Sequence, residues 1–150
     1  MLYQMIKSLH SIIRWVVVLG GLYAIITSLQ GLFSRSTWGH NNKRAGLIFT
    51  NALNVQFVLG IILYVVSPYI NGLLKAGMGN VMSNQQSRFF MIEHGFSMIL
   101  ALVAAQLGYS LAKRAKTDRA KFVRSCIGYG LAALLIAYAI PWSRPLFPGA

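Results

Sequence analysis

Four apolar runs, each close to twenty residues long and with at most one charged residue, dominate this chain and set what it can fold into. As a helix rising about 1.5 Å per residue, a run of that length crosses about 30 Å of hydrocarbon. Delimited by charged residues, the runs cover residues 11–33, 45–66, 89–112 and 122–142. Strands of a membrane barrel would be about ten residues long and strictly alternating, and these runs are neither. The expected fold class is all-α, an integral membrane four-helix bundle, with residues 1–150 forming one domain. The first run is too long for the apolar core of a signal peptide and no small-residue cleavage site follows it, so it is expected to be retained as span one.

Composition excludes most other classes. The chain is 56% hydrophobic and 11% charged, where a soluble domain has about 25% charged residues. Soluble enzymes and disordered tails are therefore excluded. Cys126 is the only cysteine, which rules out an intramolecular disulfide and a Cys cluster for zinc or iron–sulfur. The net charge of +12 does not mark a nucleic-acid partner, because the basic residues flank apolar runs instead of forming a stripe among exposed aromatics.

The charge instead orients the chain among membrane lipids. Connections one and three, with their borders, carry Arg35, Lys43, Arg44, Lys113, Arg114, Lys116, Arg119, Lys121 and Arg124. The opposite side carries Lys7, Arg14, Lys75, Arg88 and Arg144. The positive-inside rule then puts connections one and three in the cytoplasm and both termini on the periplasmic side. Ser67-Pro68 should end span two, Asn84 should cap the third helix, and Thr117-Asp118 the fourth. The second connection, residues 67–87, mixes apolar and polar residues and suits a short interfacial helix or the docking of another subunit. Trp15, Trp38 and Trp142 read as interface anchors, and His40 as a solvated loop residue.

Small residues recur at four-residue spacing as Gly20, Ala24 and Ser28, as Ala104, Gly108 and Ala112, and as Gly128 with Ala132. Such stripes let membrane helices approach closely; the same glycines would also leave room for a flat macrocycle.

Polar groups inside the runs are functional candidates, because they are costly in hydrocarbon. They are His10 and Arg14 in span one, Asn54 and Gln56 in span two, and Glu93, His94 and Gln106 in span three. Arg14 and Glu93 lie at similar distances from their inner flanks, so an ion pair stapling spans one and three is expected. Two imidazoles from different helices can also supply both axial ligands of a b-type haem. Counted from Arg35 and Lys113, however, His10 and His94 differ in height by six residues, about 9 Å along straight helices. Single-histidine ligation and hydrogen-bonding histidines at the helix interface stay open beside the pair. Glu93 next to His94 also suits proton uptake at a quinone site.

His10-Ser11-Ile12-Ile13-Arg14-Trp15, Gln56 with Leu59-Gly60 and Leu63-Tyr64, Arg88-Phe89-Phe90 with Glu93-His94, and Ile140-Pro141-Trp142 follow one another in this order. Together they resemble a family of small bacterial four-span membrane proteins labelled cytochrome b-like. The resemblance implies a location in the bacterial plasma (inner) membrane, a haem b and a role in respiratory electron transfer. The family pattern carries a further histidine two residues before the span-two glutamine, where this chain has Asn54. On this reading His10 and His94 ligate the haem iron and Gly95 leaves room beside the ring. Arg14 orients the pair or binds a propionate, and Glu93 balances Arg14. The other expectation is a non-catalytic accessory subunit of a larger respiratory or photosynthetic membrane complex, without a cofactor.

Overall fold

The computed structural model describes residues 1–142; Arg144, counted above among the outer basic residues, lies outside them. Helix α1 covers Leu2–Ser34 and α2 covers His40–Val66. The short helices α3, Pro68–Ala76, and α4, Met78–Ser83, fill the second connection. Helix α5 runs over Gln85–Arg114 and α6 over Asp118–Ala139. Helices α1, α2, α5 and α6 are long and apolar enough to cross a membrane, and the protein is a multi-pass membrane four-helix bundle.

Local chemistry sets the ends. Arg35 closes α1 in the left-handed region (φ 52°), where its amide donates to the Gly31 carbonyl. Proline fits the first turn of a helix, whose amides lack intrahelical acceptors, so Pro68 ends α2 and opens α3. There Ser67 Oγ accepts from the Ile70 amide at 3.4 Å. Gly77, at φ 87°, makes the break between α3 and α4, a conformation open to glycine because it has no Cβ. Asn84 Oδ1 accepts from the Ser87 amide at 2.9 Å, and Thr117 Oγ1 accepts from the Ala120 amide at 3.2 Å. Both sequence-expected caps are thus in place. Asp118 takes the first turn of α6 and pairs with Lys121 at 3.0 Å.

The helices extend past the runs that charge delimited. Helix α1 begins nine residues before position 11, because a helix continues into the headgroup region where Lys7 is solvated. Helix α6 stops at Ala139, where Pro141 blocks continuation, so Trp142 lies beyond it. His40 is the exposed first residue of α2, not a loop residue.

Around the bundle the order is α1, α2, α5, α6, with α6 returning to α1. The closest approach joins α5 to α6, where a Cβ on Gly108 would stand 2.8 Å from the Gly128 Cα. Gly20, Ala24 and Ser28 are buried, as are Ala112 and Ala132. The small-residue stripes therefore face the interior. Gly21 leaves space for the Phe49 ring, and Phe49 meets Tyr129 edge-on with centroids 5.7 Å apart. Trp38 is not an exposed anchor: 9% of its surface is accessible, and it packs on Phe122 at 4.9 Å. The most apolar windows of the four long helices are 28–39% buried, so most of their apolar surface is left for lipid.

One irregularity interrupts α5. Residues Phe89–Glu93 form a π-helical turn, in which the His94 amide donates to the Phe89 carbonyl five residues back. Such turns insert a residue into an α-helix and re-aim the side chains around it. The Met91 carbonyl in this turn accepts a hydrogen bond from the Tyr64 hydroxyl at 3.0 Å.

Candidate functional site

At the end of the bundle where α1 begins and α6 finishes, His10 and His94 come together. Their ring centroids are 6.4 Å apart and the rings are inclined by 67°. The expected height mismatch rested on taking Arg35 and Lys113 as level. They are not, because Phe122 contacts both Gly31 and the Ala112 layer. From that common level His10 is 21 residues up α1 and His94 is 18 up α5, a difference of about 4.5 Å. Modest helix tilt absorbs a gap of that size.

His94 is oriented by α6. Its Nδ1 donates to the Ala139 carbonyl at 2.7 Å. This carbonyl is available because the last four carbonyls of a helix have no intrahelical donor, and Ala139 is the final residue of α6. A ring nitrogen facing a carbonyl must carry the proton, so Nε2 is left as a lone-pair donor. Metal-ligating histidines commonly have their second nitrogen fixed in this manner. The Phe89 ring packs against His94 with centroids 5.9 Å apart.

His10 is held from α2. Gln56 Nε2 donates to the His10 carbonyl at 2.9 Å, tying the two helices at the level of the ring. Gly60 gives the imidazole its room: His10 Cε1 stands 3.5 Å from where a Gly60 Cβ would be. His10 Nδ1 is buried and has no hydrogen-bond partner among the described residues. A buried polar atom left unpaired is destabilising by about 1–3 kcal/mol.

Both rings line a cavity of about 710 Å³, together with Arg14, Gln56, Gly60, Tyr64 and Gly95. Ligand cavities commonly run to about 300–1,000 Å³. A Cβ on Gly95 would meet nothing within 4 Å, so this glycine faces open space. The Arg14 guanidinium lies 5.8 Å from the centre of the Trp15 ring. The four residues expected to form a cofactor site, His10, Arg14, His94 and Gly95, therefore share one cavity. Asn54 does not line it; it faces outward between α2 and α5, where Gln106 Nε2 donates to its Oδ1.

The expected Arg14–Glu93 staple is replaced by another pairing. Glu93 Oε1 accepts from Arg88 Nε at 2.7 Å, and Oε2 accepts from the Tyr138 hydroxyl at 3.5 Å. The π turn explains the exchange, because it brings residues five apart onto one face and turns Glu93 away from the cavity that His94 enters. The Ala139 carbonyl, Gln56 and Gly60 are the supports that sequence reasoning left without a role. Gln56 and Gly60 lie in the motif stretch of span two, whereas a backbone carbonyl carries no side-chain signal. No family model matches the chain, and no curated protein or solved structure matches it.

Proposed function

We propose that this protein is a small cytochrome b-like subunit of the bacterial plasma membrane that holds one haem b between His10 and His94 and takes part in respiratory electron transfer. The observation that carries the reading is the imidazole pair itself, with His94 locked by the Ala139 carbonyl at 2.7 Å and the ring centres 6.4 Å apart. His10 and His94 would hold one metal through nitrogen–metal bonds of about 2 Å, a reach that a ring-centre separation of about 6 Å allows.

The residues present fit the group. His10 and His94 supply the two nitrogen donors, Gly95 keeps the adjoining space free, and Arg14 offers a cation for a carboxylate at the cavity wall. When bound, haem supplies a reversible one-electron carrier whose potential follows its axial ligands and surroundings. The chain's own part is to fix the two rings, through the Ala139 carbonyl on one side and the Gln56–Gly60 wall on the other, and to exclude water with apolar neighbours. Glu93, paired with Arg88, has no part in this cavity. The positive-inside rule supports an orientation with the histidine end toward the periplasm, testable with reporter fusions at the two ends of α2.

An optical spectrum of protein purified from haem-replete cells, with a pyridine haemochrome assay, tests the reading. A Soret band and a reduced α-band are expected in the wild type, and both should vanish in His94→Ala and His10→Ala. A colourless wild type under those conditions would refute it, as would bands that persist in both variants.

A further inference from the structure

One polar feature on the lipid-facing surface is not used by the bundle itself. Asn54 is exposed on α2, Gln106 is half-buried on α5, and Gln106 Nε2 donates to Asn54 Oδ1 at 3.0 Å. Asn51 sits three residues before Asn54, on the same face of α2. It is exposed, and its side chain has no hydrogen bond among the described residues. Asn54 lies ten residues from Arg44, and Gln106 lies seven from Lys113. That puts the seam about 10–15 Å from the basic flanks, near the middle of a hydrocarbon layer about 30 Å thick. Its neighbours Leu47, Val58, Val103 and Leu107 are exposed and apolar, as a lipid-facing surface requires.

At that depth no water can satisfy the remaining amide groups. The Gln106–Asn54 bond uses one Gln106 N–H and one Asn54 oxygen site. Both Asn54 N–H donors, the Gln106 carbonyl oxygen and the entire Asn51 amide are left over. Polar side chains in a bilayer are normally turned inward or matched across a helix interface, whereas Asn51 and Asn54 are exposed.

We propose that the α2–α5 seam is a dimer interface at which a second copy of this chain packs about a two-fold axis. The patch is complementary to itself, because it presents unused amide donors and unused carbonyl acceptors side by side. A two-fold axis sets the donors of one copy against the acceptors of the other. Helix α2 carries no charged residue after Arg44, so no like-charge repulsion enters the middle of the contact. A different subunit would need amides of its own at the same depth, whereas a second copy supplies them by symmetry. The inference does not depend on haem binding.

The test uses the full chain in phosphatidylcholine bilayers. Donor- and acceptor-labelled copies should give energy transfer that persists on dilution with lipid, and association of Asn51→Leu/Asn54→Leu/Gln106→Leu should be at least tenfold weaker. Asn51→Leu alone breaks no bond of the bundle and should weaken association in the same direction. In a Cys126→Ser background, Val58→Cys should form an oxidative cross-link between copies, whereas Leu134→Cys, exposed on α6 away from the seam, should not. A wild type that is monomeric at every dilution overturns the proposal. So does a triple variant that associates like the wild type, or equal cross-linking at 58 and 134. If the triple variant fails to fold, the cross-linking result decides alone.

Discussion

Gly128 and Gly130 lie two residues apart in the middle of α6 and separate packing from helix propensity. A Cβ on Gly130 would meet nothing within 4 Å. A Cβ on Gly128 would stand 2.8 Å from both the Gly108 amide nitrogen and the Ala104 carbonyl oxygen. These are backbone atoms of α5, so no side chain can rotate away; the helices must part by about half an ångström or more to restore ordinary contact. Forcing extra volume into a packed interior is destabilising by about 1–3 kcal/mol. Replacing glycine by alanine in an aqueous helix contributes up to about 1 kcal/mol in the opposite sense, and less in a bilayer, where the separated helices are already formed. Gly130→Ala is thus expected to range from neutral to about 1 kcal/mol more stable, and Gly128→Ala to be about 1–3 kcal/mol less stable. Unfolding in mixed detergent micelles, followed by tryptophan fluorescence in a Trp15→Phe/Trp142→Phe background that leaves Trp38 against Phe122, reads the difference. Equal stability of the two variants, or a more stable Gly128→Ala, would show that the α5–α6 backbones are not in contact.

Three other variants probe the surroundings of the site. Gln56→Leu removes the bond to the His10 carbonyl and should destabilise the bundle by about 0.6–2 kcal/mol, the range for membrane hydrogen bonds; no loss in mixed-micelle unfolding would remove Gln56 from the α1–α2 contact. Glu93→Gln should leave any haem spectrum unchanged, and a double-mutant cycle with Arg88→Met should give a coupling of about 0.2–1 kcal/mol, as for other half-exposed pairs. A spectrum lost with Glu93→Gln would reinstate this carboxylate in the cavity. Gly60→Leu should press on the His10 ring and lower haem content while span insertion is retained, measured as the ratio of Soret to protein absorbance; an unaltered ratio would free His10 from that wall.

The membrane architecture was legible in the sequence because twenty-residue apolar runs have few other uses, and because proline, asparagine and threonine mark helix ends by local chemistry. Ser67-Pro68, Asn84 and Thr117 all act where their side chains suggest. The meeting of His10 and His94 was legible only as a possibility, since counting residues from basic flanks assumes that those flanks are level. Here the true reference is the layer of Gly31, Ala112 and Phe122. Glu93 was misassigned for a different reason. Its partner depends on whether the preceding turn is α or π, a choice between adjacent hydrogen-bond acceptors that no residue type in Phe89–Glu93 announces.

The two ends of the bundle divide the work. The glycine crossing that locks α5 to α6 lies 14 residues from His94 along α5 and 11 from Ala139 along α6, about 16–21 Å away. The 710 Å³ cavity lies at the histidine end, and the groups that meet there come from all four long helices: His10, Gln56, His94 and the Ala139 carbonyl. The Ala139 and Gln56 hydrogen bonds hold this end, whereas backbone contact holds the other. Substitutions at Gly108 or Gly128 should accordingly lower stability without changing which groups face the cavity. Substitutions at Gln56 or Gly60 should alter what the cavity holds at a smaller loss of stability. If loosening the glycine crossing alone emptied or refilled the cavity, the two ends would be coupled through the helices, and the site could not be treated as separate from the packing that supports it.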